Sequence, residues 1–102
     1  MSKRYHIELT FKTPNGPEVF ARFYAGNSHG TAVAIFNKLK GSWEVDEHKL
    51  IFLNFVETHK GLPINLDTIS CTLEDVGQNC KIITRELFKL HCMLPEFKMQ
   101  AR

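Results

Sequence analysis

The run Tyr5-His6-Ile7-Glu8-Leu9-Thr10-Phe11-Lys12, the break Thr13-Pro14-Asn15-Gly16-Pro17 and the run Glu18-Val19-Phe20-Ala21-Arg22-Phe23-Tyr24-Ala25 together read as a β-hairpin. Side chains alternate across a strand, so Tyr5, Ile7, Leu9 and Phe11 share one face, and His6, Glu8, Thr10 and Lys12 share the other. In the second run Val19, Ala21, Phe23 and Ala25 form one set. Phe20, Arg22 and Tyr24 form the opposite set, which places two aromatics and an arginine on the side expected to meet solvent. The break has its own chemistry. Pro14 presets φ, Asn15 and Gly16 tolerate positive φ, and Pro17, lacking an N–H, fits only the start or edge of a strand.

Beyond the hairpin, Asn27 or Ser28 can cap a short helix with Ala32, Ile35, Phe36 and Leu39 on one face, and Gly41 is expected to close it in the left-handed conformation. The acidic stretch around Trp43 reads as a loop, with Trp43 folding back as a lid. Leu50 to Val56 is apolar at both parities, the pattern of a strand covered on both faces. A break at Thr58 to Pro63 and a fourth strand over about Thr68 to Glu74 follow. Asp75, with Gln78 three residues on, is expected to cap a last helix whose apolar face runs through Val76, Cys80, Ile83, Leu87, Leu90 and Leu94 up to Pro95. Residues 96–102 lack periodicity and are expected to fray. The order ββαββα predicts one two-layer α+β domain over residues 1–102, a four-stranded mainly antiparallel sheet with two helices on one face.

The chain has 102 residues, 43% of them hydrophobic and 24% charged, which fits one folded domain and excludes a disordered chain. No apolar run reaches the roughly 20 residues of a membrane helix, and Lys3-Arg4 leads directly into a strand rather than a signal sequence. A cytoplasmic protein without membrane contact is expected. Cys71, Cys80 and Cys92 are odd in number and lack metal-site spacing, so reduced thiols are expected and neither metal nor cofactor.

Catalytic constellations are absent by spacing. Ser28-His29 is better explained by a cap, Cys80 and His91 lie about 16 Å apart along a helix, and Glu57, His59 and Asp67 merely flank a loop. The expectation is a non-enzymatic module binding a protein, a second copy of itself among the candidates, through the sheet face that carries Phe20, Arg22 and Tyr24. The alternative is single-stranded nucleic acid, with the sheet aromatics stacking on bases. Lys81, Arg85 and Lys89, spaced by four on the last helix, would supply a basic stripe. A net charge of only +2 and Glu86 beside Lys89 weigh against it.

Overall fold

The computed structural model describes residues 3–92. Six elements follow in order: β1 (Lys3–Thr13), β2 (Gly16–Tyr24), α1 (His29–Phe36), β3 (Ile51–His59), β4 (Leu62–Ser70) and α2 (Leu73–Cys92). The strands form one antiparallel sheet, β2-β1-β3-β4, so the doubly apolar third strand is central beside β1. Tyr5, Ile7 and Leu9 of β1 and Leu53 and Phe55 of β3 bury against Ala32, Ile35 and Phe36 of α1 and Ile83 of α2. Both helices therefore lie on one side of the sheet, the predicted two-layer α+β arrangement. Phe55 stacks on Phe36 and Tyr5 at centroid distances of 5.3 and 5.8 Å. Burial of each large side chain contributes about 1.5–3 kcal/mol.

The first hairpin turns at Pro14 and Asn15, and Gly16 takes the positive φ of 109°. One expectation there fails. The register slips between Leu9 and Thr10, which pair with Ala21 and Val19 and skip Phe20. The bulge swings Phe20 out of the row of Arg22 and Tyr24 and onto Phe11, with 4.5 Å between ring centroids. Val19 accordingly stands opposite Thr10 on the side away from the helices instead of joining Ala21 and Phe23.

The second hairpin is longer than the sequence reading. β3 continues to His59, and β4 starts at Leu62 and ends at Ser70 rather than spanning Thr68 to Glu74. Lys60 and Gly61, at φ 56° and 79°, form a tight two-residue turn with left-handed backbone at both positions. Pro63 does not break the strand, because β4 is an edge and the missing N–H leaves no ladder bond unmade.

Ser28 caps α1, its hydroxyl accepting the Thr31 N–H at 3.3 Å, but the helix stops at Phe36 with Asn37 as its C-cap. Gly41 does not close it. Its φ is not positive; instead a Cβ there would lie 2.6 Å from the Ser70 carbonyl oxygen. The chain leaves α1 early so that Gly41 can press against β4, where Ser42 pairs with Ser70. Trp43 stands edge-on to Phe36, 6.3 Å away in the helix layer, and is no lid over the open sheet face.

The cap of α2 is Thr72 rather than Asp75. The Thr72 hydroxyl accepts the Asp75 N–H and the Asp75 carboxylate accepts the Thr72 N–H, each at 3.0 Å, a reciprocal capping box. Val76, Ile83 and Leu87 face the core. Asn79, 1% exposed, latches the helix to the loop after α1: it donates to the Lys40 carbonyl at 2.8 Å and accepts the Lys40 N–H at 2.7 Å. Leu94, Pro95 and residues 96–102 lie outside the described residues.

Candidate binding face of the sheet

With the helices on one side, the other side of the sheet presents three cross-strand rows. Tyr24, His6, Val56 and Asn65 form the first, Arg22, Glu8, Asn54 and Thr68 the second, and Val19, Thr10, Phe52 and Ser70 the third. The third row is closed in part by the loop after α1: Thr10 and Ser70 are buried, the Ser70 hydroxyl donates to the Glu44 carbonyl at 2.9 Å, and Lys12 Nζ donates to the Glu47 carbonyl at 3.0 Å. The second row is wired laterally. Arg22 Nε donates to Glu8 Oε2 at 2.8 Å, the Thr68 hydroxyl donates to Asn54 Oδ1 at 2.7 Å, and the Asn54 amide donates to Thr10 Oγ1 at 3.1 Å. Asn65 adds a bond to the Thr68 oxygen at 2.9 Å. A shallow depression of about 510 Å³ runs over this network between Arg22 and Pro63.

Arg22 is exposed, and beyond its bond to Glu8 its two terminal nitrogens form no bond among the described residues. Tyr24 is held in place: its hydroxyl donates to Asn27 Oδ1, and its ring lies 5.4 Å from that of His6 and 5.7 Å from that of His91. His6 is pushed toward its neutral form by burial first, then by the nearby Arg22 and Arg4, against an opposing pull from Glu8. Of the three residues expected on this face, the fold brings Arg22 and Tyr24 into adjacent rows and turns Phe20 away. The polar cross-links were not foreseen. Asn54, the lone polar residue within Leu50 to Val56, was the signal available for them.

The basic stripe on α2 is divided. Glu86 binds Lys38 at 3.1 Å and Lys89 at 3.5 Å, and these cations, Lys38 foremost, hold its carboxyl below the usual range. Lys81 and Arg85 form no ion pair among the described residues, and the exposed ring of Phe88 lies beside them. The other polar clusters do not assemble. His29 packs edge-on to Tyr5 at 5.5 Å, Glu57 pairs with Lys3 at 3.0 Å, and among the described residues no three His, Cys, Asp or Glu side chains converge as metal ligands. The Cys71 thiol is pushed up to about 11, chiefly by burial and then by Asp75, and is therefore protonated at neutral pH. No helix among the described residues is long and apolar enough to cross a membrane. No protein-family model, curated protein or solved structure matches the chain, so no activity is carried over from a relative.

Proposed function

We propose that the protein is a small non-enzymatic interaction module that binds a protein partner, a second copy of itself included, through the face of its sheet opposite the helices. The observation that carries this reading is the wired second row. Glu8 is bonded to Arg22, and Asn54 links Thr10 to Thr68, so a partner can cover these polar groups at little cost, while Arg22 and Tyr24 keep exposed binding surface. The same commitment of polar groups to each other supports a binding rather than a catalytic role. The free thiols of Cys71 and Cys80 support a reducing, cytoplasmic setting.

Site-specific photo-crosslinking in cells tests the reading. A photoreactive side chain replacing Arg22 is expected to trap a protein adduct, and one replacing Lys81 is not. Absence of any adduct at position 22 would remove the reading. A second reading, nucleic-acid binding, is favoured only by Lys81, Arg85 and Phe88. For it, changing Lys81 and Arg85 to Gln should abolish a salt-sensitive retention on single-stranded oligonucleotides.

A further inference from the structure

We infer that the partner of this face is an acidic protein segment, extended along β1 and placing one carboxylate on Arg22 and a second on Arg4. The inference rests on the proposed role of the face and names the chemistry of its occupant.

The loop after α1 closes the third row in part, so the accessible ground lies at the other end of the face. There Arg4, Thr58 and Pro63 continue the rows of Glu8 and His6. The depression of about 510 Å³ sits at this end, between Arg22 and the turn at Gly61. Charge is sorted across the sheet. Glu57 and Asp67 stand opposite Tyr5 and Phe55, on the side of the helices, and Glu57 is bonded there to Lys3. On the other side Glu8 is the one carboxylate in these rows, and Arg22 already holds it through Nε. The two terminal nitrogens of Arg22 and the guanidinium of the exposed Arg4 have no partner among the described residues. A surface with that surplus of cation selects an anion.

The spacing selects the kind of anion. Arg22 stands opposite Glu8, and Arg4 is four residues back along β1, about 14 Å. Between them lie Val56, which is buried, and His6, which burial and the two arginines keep neutral at pH 7. An extended segment presents every second side chain to the sheet, so acidic residues at its first and fifth positions reach the two arginines while its third meets this neutral row. The unbonded end of Arg22 can hold its carboxylate through both nitrogens. A nucleic-acid strand, with a charge about every 3.4 Å, would set phosphates over Glu8 and over the neutral row, where nothing compensates them. Two exposed charge contacts give a modest affinity, a dissociation constant on the order of 100 μM for a short peptide at low salt.

Heteronuclear NMR of the full chain, titrated with a capped five-residue peptide, reads this directly. The peptide carries glutamate at its first and fifth positions, valine at the third and threonine between. The amide signals of His6, Glu8, Arg22 and Thr58 should move, and those of Lys81 and Arg85 should not. Arg22→Gln should weaken binding at least about tenfold and Arg4→Gln at least about threefold, whereas Lys81→Gln with Arg85→Gln should leave it unchanged. Arg22→Lys, which keeps the charge without the fork, should fall between wild type and Arg22→Gln. The spectra themselves show whether each variant is folded. A peptide with glutamine in place of both glutamates should cause no shift. Shifts confined to Lys81 and Arg85, or a glutamine peptide that binds as well, overturn the acidic occupant. Absence of any shift overturns it too; a crosslink at position 22 then still upholds the face, and its absence removes both.

Discussion

Along β1 the two sides of the sheet are one residue apart and are built on different principles. Ile7 has no exposed surface and sits between Phe23 and Phe55 in the register, held by volume. Glu8, next to it, sits between Arg22 and Asn54, held by charge and hydrogen bonds at the edge of solvent. The covered face gains stability from burial and tolerates little change of shape. The open face gains little net stability from each polar link, since every such bond replaces one to water. Its order instead keeps donors and acceptors aimed before a partner arrives.

The largest expected break in that contrast is Ile7→Ala. A fully buried isoleucine at the sheet centre leaves a cavity, and urea denaturation should show a loss of about 4 kcal/mol, against less than about 1 kcal/mol for Glu8→Ala. Equal losses would show that the open face supports the fold as much as the core does. Next is Asn79→Leu, a change that keeps side-chain volume but leaves the buried Lys40 N–H and carbonyl without their partner. A loss of about 2–3 kcal/mol is expected, and a neutral result would mean that water replaces the amide there.

The first hairpin could be read from sequence because Pro14, Asn15, Gly16 and Pro17 each constrain the backbone in a way that only a turn satisfies. The second was displaced because its turn is two residues, Lys60-Gly61, and because a proline counts as a break only when its amide is needed. At an edge strand it is not, and no pattern within residues 58–63 announces that β4 is an edge. The face with Arg22 and Tyr24 followed from alternation alone. Phe20 was misplaced because one extra residue between Ala21 and Val19 reverses parity, and a bulge has no local sequence requirement when its residue is not glycine. Asn79 and Gly41 escaped for another reason. Their partners, Lys40 and Ser70, are 39 and 29 positions away in the chain, and nothing in a periodicity reports such pairs.

A smaller effect sharpens the comparison on the open side. Asn54→Ala removes the bonds to Thr10 and Thr68 and frees Thr10, itself buried, from its side-chain donor. The expected loss is about 1–2 kcal/mol by urea denaturation. A stability loss as large as that for Ile7→Ala would place Asn54 in the core rather than in a recognition network.

The smallest expected effect is a slope rather than a midpoint, and it isolates His6. Burial and the Arg22 and Arg4 charges lower its affinity for a proton in the folded chain below the ordinary value of 6.5. The unfolded chain therefore takes up the proton first as pH falls, and linkage requires stability to decline with it. Above pH 6.5 both states are neutral at this position and the penalty is absent; it grows below 6.5 and becomes constant once the folded protein is also protonated. The window is separate from that of Glu86, whose depressed carboxyl contributes stability that is present above 4.5 and lost only as pH falls below it. Urea midpoints measured for the wild type and His6→Gln at pH 7.5 and 5.5 should be parallel at the higher pH, with the wild type losing more at the lower. If His6→Gln follows the wild type through that window, His6 is not the group whose protonation opposes the fold, and the ring beside Tyr24 stands in a wetter face than its contacts with Tyr24 imply.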